Sequence, residues 1–343
     1  MNFKKNNIIN VFVSIAPSHN KNFEEIISAG LTSGSNILIN AGDYICNNSL
    51  WDMIIRGDRS IGNKSGSSFT KIKFQVSKLR SYKKTINKVK NSLPKARFNL
   101  YYCNLEDVLN NYMFFSFRKN LINERILVED GILNYYDYKI SPQNKKTFKT
   151  KKIISFLTGI PYVILKGQLS GIDLDIVKKQ YVKSPLKAIY PEKSLELPQK
   201  KIIYKPLKNI ILFIGQDILE NILGKEKYLL EVESILIEIK KEFKKESILI
   251  YKPHRNGDYK SILSLLDKYF KQNYELILDN TPIERLVSEI KPILIYSFYS
   301  TALLNIQMAL PEKTDVIIFS KPTESVDQKV LDMFKEVGIK LLR

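Results

Sequence analysis

Short apolar runs and longer amphipathic stretches alternate along the first half of the chain. The runs 8–15 and 35–40 are rich in β-branched residues, as buried strands are, and a helix-like stretch, 23–31, lies between them. Residues 71–92 carry apolar residues near helical spacing, with basic residues at many of the other positions. Further strand-like runs follow at 97–103, 125–130 and 161–167, with helix-like or lysine-rich segments between them. Strands separated by helices predict a parallel α/β sheet.

The same alternation restarts after residues 190–208, a segment with three prolines and little apolar periodicity. We place a domain boundary there, with an N-terminal domain at 1–195 and a C-terminal domain at 196–343. The predicted strands of the second domain are 209–216, 247–254, 274–279, 292–297 and 315–320. The predicted fold class is α/β, with two Rossmann-type domains facing a central cleft.

Composition narrows the choice of partners. The 343 residues carry a net charge of +19, which favours nucleic acid, an acidic membrane surface or a charged substrate. No apolar stretch approaches the length of a membrane span, so we expect a cytoplasmic protein. Cys46 and Cys103 are too few for a disulfide framework, and we expect both to be reduced.

Polar residues follow several predicted strands, at the end where open parallel sheets bind ligands. They are Glu129, Asp130, Gly215, Gln216, Lys252, His254, Ser297, Ser300 and Thr301. Hydroxyl groups at the first turn of a helix lie beside free backbone N–H groups, so Ser300 and Thr301 predict a phosphate site. An ordinary helix N-cap explains the same residues.

Two further residue types suit acid–base chemistry. His254 leaves a strand for a loop that contains proline and glycine, where an imidazole can neutralise or protonate a leaving phosphate. The sequence "VEDG" puts Glu129 and Asp130 at a strand end, where a carboxylate can deprotonate a hydroxyl. A solvated turn is the alternative interpretation of this segment, and a structural loop histidine is the alternative for His254.

Taken in order, four segments resemble motifs of the bacterial sialyltransferases. They are "EDG" at 129–131, "KPH" at 252–254, "TPIE" at 281–284 and "YSFYSTALLN" at 296–305. The nearest match is the family of the lipooligosaccharide sialyltransferases. In this chain Arg255 replaces the proline that normally follows the motif histidine, and Thr301 replaces the second serine of a pair. The arginine would add a phosphate contact or mark a branch with another donor.

The resemblance implies an inverting, metal-independent transferase of the GT-B fold that uses CMP-sialic acid and needs no cofactor. Glu129 would be the base, with Asp130 as its orienting neighbour, although which of the two accepts the proton stays open. His254 would act on the CMP phosphate, and Ser300 and Thr301 would hold it. Glu284 would bind the ribose, and Gly215 would let cytosine approach the backbone. Gln216, Lys252, Arg255 and Ser297 complete the predicted donor site.

Several alternatives remain. "DLD" at 173–175 is a D-x-D, the metal–diphosphate signature of many nucleotide-sugar transferases, and it could equally be two solvated acids. A transferase with another nucleotide sugar, such as a glucosyltransferase, and a polysialyltransferase stay open. A basic nucleic-acid-binding protein is the alternative from another class, but no recognised binding motif supports it. The expected acceptor is a lipid-linked glycan, so the basic segment 71–92 is a candidate contact with an anionic inner membrane surface. A homodimer stays open.

Overall fold

The computed structural model describes residues 8–58, 68–137, 142–254, 259–279, 281–323, 326 and 328–342. The chain divides into two compact units, Met1–Gln199 and Lys200–Arg343, here called unit 1 and unit 2. Arg255, one of the predicted donor-site residues, lies outside the described residues.

Unit 1 is built on a seven-stranded parallel sheet. Its strands are β1 (Ile9–Ser14), β2 (Ser35–Asn40), β3 (Met53–Arg56), β4 (Phe98–Tyr102), β5 (Ile122–Val128), β6 (Val177–Val182) and β7 (Ser194–Glu196). Its helices are α1 (Pro17–Ser28), α2 (Ser68–Ser92), α3 (Val108–Phe115) and α4 (Pro142–Leu157). The strand order is β3-β2-β1-β4-β5-β6-β7.

Unit 2 is built on a six-stranded parallel sheet. Its strands are β8 (Leu207–Ile214), β9 (Ile248–Lys252), β10 (Tyr274–Leu276), β11 (Pro292–Phe298), β12 (Ile317–Lys321) and β13 (Lys340–Leu341). Its helices are α5 (Glu220–Leu223), α6 (Lys225–Glu242), α7 (Lys260–Phe270), α8 (Ile283–Ile290), α9 (Thr301–Ala309) and α10 (Gln328–Glu336). The strand order is β10-β9-β8-β11-β12-β13.

Both sheets follow the doubly wound order, in which the first strand of the unit lies beside the fourth. The prediction of two Rossmann-type α/β domains is therefore confirmed. The order reverses between β1 and β4 in unit 1, and between β8 and β11 in unit 2. Ligands of such sheets bind at the carboxyl ends of the strands on either side of this reversal, so these two places define where a site is expected.

The buried strands explain why the sequence shows apolar runs rather than a strict alternation. In β1, Val11 and Val13 face one core of unit 1, and Phe12 faces a second core that also holds Phe23 and Trp51. Because successive side chains of a strand point to opposite faces, a sheet covered on both sides buries every position.

The helix predicted at 71–92 is the basic helix α2. Its apolar stripe, which includes Leu79, Ile86 and Val89, is buried in unit 1. Its remaining faces carry the basic residues. No helix among the described residues is long and apolar enough to cross a membrane.

The observed strands differ from the sequence prediction in both directions. The structure adds four strands that were not predicted, β3, β6, β7 and β13, and it shows no strand at 161–165, within the predicted run "PYVILKG". Helix α1 also begins at Pro17, earlier than the predicted 23–31. The earlier start places His19 in the first turn of a helix, directly after β1. Cys46 and Cys103 are both free, as expected.

Candidate active site

The candidate site of unit 1 lies where the chain leaves β1, β4 and β5. These neighbouring parallel strands are followed by His19, Asn104 and Asp130 respectively. The side chains of all three meet, although they are far apart in sequence. The first two strands flank the reversal of the sheet, so the cluster lies at the place where a ligand is expected.

Asp130 is the centre of this cluster and is partly open to solvent. Its side chain is 25% exposed, and its Oδ1 lies 3.0 Å from Nε2 of His19. Asn104 donates a hydrogen bond from Nδ2 to Oδ2 of Asp130. Burial by itself would raise the pKa of Asp130, but His19 and the hydrogen bonds from His19 and Asn104 outweigh it and hold the pKa below its ordinary value. Asp130 is therefore a carboxylate at neutral pH.

His19 is held in one orientation by contacts to both ring nitrogens. Its Nδ1 accepts a hydrogen bond from the backbone N–H of Ile15 at 3.4 Å, so Nε2 carries the proton and donates to Asp130. The ring is only 1% exposed. This arrangement, a buried imidazole that fixes a carboxylate, resembles the pairing that orients acid–base groups in many enzymes.

Glu129, which the resemblance implied as the base, lies in the interior of unit 1. Its side chain is fully buried, and Oε1 forms an ion pair with Nζ of Lys183 at 2.9 Å. Its Oε2 accepts hydrogen bonds from the Tyr135 hydroxyl and, at 2.7 Å, from the Lys183 backbone N–H. The two carboxylates of the motif thus differ in their surroundings. Glu129 is buried and fixed, and Asp130 faces the accessible side.

The backbone conformation explains why the third residue of the same motif is glycine. Gly131 has a φ of 64°, in the left-handed region that glycine adopts without strain. The chain turns there into a short 3₁₀ helix, Gly131–Asn134, and Oδ1 of Asn134 accepts the Asp130 backbone N–H at 3.0 Å. The turn therefore fixes the backbone from which the Asp130 side chain projects.

A pocket of about 260 Å³ adjoins this cluster through Asn104. Its charged lining residues form two ion pairs, Lys78 with Asp107 and Lys151 with Glu106, each at 3.0 Å. Burial would lower the pKa of Lys78, but the Asp107 carboxylate outweighs it and keeps the pKa above its ordinary value. Because each cation has an acidic partner, the pocket is polar without a large net charge. Such a lining suits a ligand with many hydroxyl groups.

In unit 2 the chain after β8 carries Gly215 and Gln216. The Gly215 backbone N–H donates to the Lys252 carbonyl at 2.8 Å, which joins the ends of β8 and β9. A Cβ at Gly215 would lie only 2.5 Å from the Tyr251 hydroxyl, so no larger residue fits without displacing that ring. Gln216 is partly exposed beside it.

Asp217, which the sequence analysis did not select, fixes the loop that carries His254. It is buried, and its Oδ2 accepts the His254 backbone N–H at 2.7 Å. Its Oδ1 accepts the hydroxyls of Tyr251 at 2.6 Å and Tyr228 at 3.1 Å. Burial and the adjacent Asp217 raise the pKa of both tyrosines, so they remain donors. The three contacts hold the backbone at His254, whose side chain is partly exposed.

The predicted phosphate residues lie at the end of β11, on the other side of the reversal from Gly215. Ser300 is the N-cap of α9, and its Oγ accepts the Ala302 backbone N–H at 3.2 Å. Thr301 is the first residue of that helix and is partly exposed. Ser297 differs from the prediction, because it is fully buried and donates to the Ile214 carbonyl at 2.7 Å. This hydrogen bond joins β11 to β8.

The remaining described residues of the predicted donor site are Lys252 and Glu284. Lys252 forms an ion pair with Asp279 at 3.1 Å. Hydrogen bonds from the Thr281 backbone and then from Lys252 lower the pKa of Asp279 to about 2. Glu284 lies in the first turn of α8 and is partly exposed.

The D-x-D sequence belongs to a turn before β6. Asp173 is partly buried, and its Oδ2 accepts the Gln168 backbone N–H at 3.1 Å. The described residues contain no group of three or more His, Cys, Asp or Glu side chains that could hold a metal ion. Asp173 therefore has a local structural role in this segment.

The sequence contained a weak signal for two of the residues that were missed. His19 is the only histidine besides His254, and it follows the first predicted strand. Asp217 directly follows Gly215 and Gln216, two residues that were selected. Asn104 offered no comparable signal, because an asparagine after a strand is common in loops.

Comparison with known proteins identifies the family. The sequence profile of glycosyltransferase family 52 matches residues 60–318, which is most of the chain. No curated protein sequence matches. The resemblance to this group that was inferred from the ordered motifs is confirmed.

Solved structures share the two-domain fold at low identity. A sialyltransferase from Photobacterium damsela is 14% identical, with a TM-score of 0.50, and the match covers 98% of this chain and 82% of that one. A 2,6-sialyltransferase from Photobacterium sp. JT-ISH-224, solved with the donor product CMP and the acceptor lactose, is 13% identical, with a TM-score of 0.52 and coverage of 98% and 78%. A UDP-GlcNAc 2-epimerase from Methanocaldococcus jannaschii is 13% identical, with a TM-score of 0.50 and coverage of 98% and 88%.

The fold alone does not distinguish a transferase from an epimerase, but the family does. The chain belongs to glycosyltransferase family 52, and it is a glycosyltransferase.

Proposed function

We propose that this enzyme transfers sialic acid from CMP-sialic acid to a hydroxyl group, with galactose as the first candidate, of a cell-surface glycan. The reaction inverts the anomeric carbon and needs no metal ion. The family assignment supports a transferase of this kind, and the fold is that of two Photobacterium sialyltransferases, one of them solved with CMP and lactose. The enzyme acts at the cytoplasmic side of the membrane on a lipid-linked acceptor.

The arrangement of Asp130 carries the proposal. It is the accessible carboxylate of the motif, it is ionised at neutral pH, and His19 and Asn104 fix its orientation. Those are the properties of a general base. We therefore assign the base role to Asp130 and a structural role to Glu129.

Unit 1 is the acceptor domain in this proposal. The pocket beside Asn104 is of about 260 Å³, close to the lower end of small-molecule sites, roughly 300 Å³. Its paired charges, Lys78 with Asp107 and Lys151 with Glu106, offer both donors and acceptors to sugar hydroxyls. A galactose terminus fits this chemistry better than an anionic group, because no cation there lacks a carboxylate partner.

Unit 2 is the donor domain. The Ser300 and Thr301 hydroxyls and the positive end of α9 hold the single phosphate of the donor. His254 acts on the same phosphate, Glu284 binds the ribose, and Gly215 and Gln216 lie along the cytidine.

The chemical step is a direct displacement. The acceptor hydroxyl oxygen attacks the anomeric carbon and passes its proton to Asp130. The bond from that carbon to the phosphate oxygen breaks, and its electron pair leaves with CMP, stabilised by His254 and the α9 hydroxyls. A single displacement inverts the anomeric configuration.

The test is incubation with CMP-sialic acid and a set of galactose-terminated acceptors. We expect an acceptor whose mass rises by one sialic acid residue, with the opposite anomeric configuration from the donor. Parallel reactions with UDP-glucose and with a sialylated acceptor test the glucosyltransferase and polysialyltransferase alternatives. Asp130→Asn is the control for transfer by the proposed site.

A product with UDP-glucose and none with CMP-sialic acid would refute the donor assignment while leaving the family intact. Addition of several sialic acid residues to one acceptor would identify the enzyme as a polysialyltransferase. Transfer that survives in Asp130→Asn would refute the base.

A further inference from the structure

One helix of unit 1 exposes an apolar face that no part of the described structure covers. On α4, Ile153 is 61% exposed, and Phe156 and Leu157 are each 77% exposed. Their spacing of three and four residues puts them on one side of the helix. Isolated exposed apolar residues are common, but three large ones on one face mark an interaction surface.

The same stripe continues into positive charge. Lys149 and Lys152 precede the three apolar residues at helical spacing, and both are exposed. The opposite side of α4 is buried, because Phe148 belongs to the core and Ile154 packs against it. Helix α4 therefore has two non-polar sides, one against the protein and one facing outward.

The chain segment that contains this stripe has no acidic residue, and Glu106, which lies beside α4, is paired with Lys151. Residues 138–172 include seven lysines and no aspartate or glutamate. The basic helix α2 adjoins the end of α4, since Nζ of Lys83 donates to the Gly159 carbonyl at 3.0 Å. Exposed apolar side chains bordered by cations are the features of a helix that lies in the interface of an anionic bilayer.

We infer that the exposed stripe of α4, formed by Lys149, Lys152, Ile153, Phe156 and Leu157, docks the enzyme on an anionic lipid surface. Phe156 and Leu157 enter the interface, and the lysines face the head groups. A second copy of the chain is a poorer occupant. A symmetric dimer through this stripe would bring the same lysines of both copies together without an acidic partner from the stripe.

Helix α2, the other candidate for a membrane contact, is less suitable than α4. The apolar stripe of α2 is buried, so this helix can supply charge but no insertion. Helix α4 can supply both. If the proposed function holds, docking also has a catalytic use, because Lys151 on the same helix lines the pocket beside Asn104.

Vesicle sedimentation tests the docking without any assay of transfer. We expect the enzyme to bind vesicles of phosphatidylcholine mixed with phosphatidylglycerol and to bind phosphatidylcholine alone far less. The triple variant Ile153→Ser/Phe156→Ser/Leu157→Ser should bind the mixed vesicles roughly tenfold or more weakly, since each large side chain contributes by its burial. The double variant Lys149→Gln/Lys152→Gln should bind up to roughly 30-fold more weakly, as expected for the loss of two interfacial cations.

The matched control replaces three large, exposed apolar side chains elsewhere in the chain. Ile45, Leu186 and Ile203 are 85%, 90% and 82% exposed and are far apart in sequence. The variant Ile45→Ser/Leu186→Ser/Ile203→Ser should bind mixed vesicles like the unaltered enzyme. Equal loss in the control and the test variant would mean that general hydrophobicity, not this stripe, drives binding.

A reporter variant covers the case in which the triple variant does not fold. In Phe156→Trp, contact with mixed vesicles should shift the emission of the new tryptophan to shorter wavelength, and Trp51, the natural tryptophan, is buried. No shift, or no binding of the unaltered enzyme to anionic vesicles, would overturn the inference. A dimer in sedimentation velocity that the triple variant abolishes would overturn it in favour of self-association. Transfer to a soluble acceptor is measured separately, so failure of docking and failure of the proposed function are distinguishable.

Discussion

At the scale of single residues, the two adjacent carboxylates of the "EDG" motif divide into a buried group and an accessible one. Side chains of neighbouring residues at a strand end point to opposite sides. Glu129 points inward to Lys183 and Tyr135, and Asp130 points to the accessible side with His19 and Asn104. The chemistry of the motif therefore depends on which side each residue faces.

The pair of variants Glu129→Gln and Asp130→Asn should separate these roles. Glu129→Gln leaves the Lys183 ammonium buried without its carboxylate, which should cost roughly 3–5 kcal/mol of the free energy of unfolding. Asp130→Asn should keep most of the stability and lower transfer by roughly 100-fold or more, because it removes the proton acceptor. Urea denaturation and initial rates measure the two effects.

The opposite result has a clear meaning. A stable, folded Glu129→Gln without transfer, beside an active Asp130→Asn, would return the base role to Glu129. CMP affinity, measured by calorimetry on both variants, should stay near that of the unaltered enzyme, since both residues belong to unit 1.

His19 should set the pH range in which Asp130 works. His19 contributes to the lowered pKa of Asp130, so its loss should raise that pKa. A base must be deprotonated to act, and a higher pKa moves its protonation to higher pH. In His19→Phe, the acidic limb of the kcat/KM profile should therefore move to higher pH, while activity above the limb is less affected.

The matched variant is His19→Gln, which keeps a donor that can reach Asp130. Its acidic limb should lie between those of His19→Phe and the unaltered enzyme. Identical profiles for all three proteins would show that His19 serves only the packing of α1.

Sequence alone could identify chemical residue types at strand ends but not their partners. The sequence identified Glu129 and Asp130 as candidate site residues. Which of them is proposed as the base depends on the side that each side chain faces, and the sequence does not show this. Asn104 and Asp217 act through contacts with residues 26 and 37 positions away. Such contacts arise from the order of strands in the sheets, which no local pattern encodes.

At the scale of elements, apolar runs located most strands but did not distinguish a strand from a loop packed on the core. Residues 161–165 form no strand, although Leu165 is buried. The backbone N–H and carbonyl of Val163 bond instead to the side-chain amide of Asn111, each at 2.8 Å. That amide takes the place of a neighbouring strand. Conversely, β6 has the sequence "VKKQYV", whose lysines hid it from a search for apolar runs.

The start of α9 offers a test that separates helix capping from phosphate binding. Ser300→Ala removes both the cap and the hydroxyl, and should cost about 1 kcal/mol of stability. Ser300→Gly also removes the hydroxyl, but glycine is a good N-cap residue. It should therefore lower the free energy of unfolding by only a few tenths of a kcal/mol. We expect both variants to bind CMP more weakly, and only Ser300→Ala to lose measurable thermal stability.

Calorimetric CMP titration and thermal melting provide the two readouts. Normal CMP affinity in Ser300→Gly would mean that the Ser300 hydroxyl serves α9 alone. Thr301→Val, which removes the neighbouring hydroxyl but keeps the shape, then shows whether the second residue of the pair carries the phosphate contact.

At the scale of the whole molecule, the net charge of +19 matters less for nucleic acid than for the two anions of the proposed reaction. The family assignment makes the chain an enzyme. In the proposed reaction, this enzyme meets an anionic donor and, at a lipid-linked acceptor, an anionic surface. The positive charge thus has two separate uses. Only the one at α4 is combined with exposed apolar side chains.

The last prediction concerns metal dependence and belongs to the complete reaction. The leaving group CMP has one phosphate and carries less negative charge than a nucleoside diphosphate leaving group. The Ser300 and Thr301 hydroxyls, the N-terminus of α9 and His254 can balance that charge. We therefore expect transfer from CMP-sialic acid to proceed at the same rate, within roughly twofold, in EDTA and in manganese.

The decisive control uses the D-x-D sequence, the remaining candidate for a metal–diphosphate site. Asp173→Asn should leave transfer largely intact, because Asp173 Oδ2 accepts the Gln168 backbone N–H and so serves the local turn. Suppose that EDTA abolishes transfer, that manganese restores it, and that Asp173→Asn has no transfer. This result would contradict both the metal-independent step and the CMP donor. Loss in Asp173→Asn without any response to EDTA would instead assign Asp173 to the stability of that turn, which a lowered melting temperature would show.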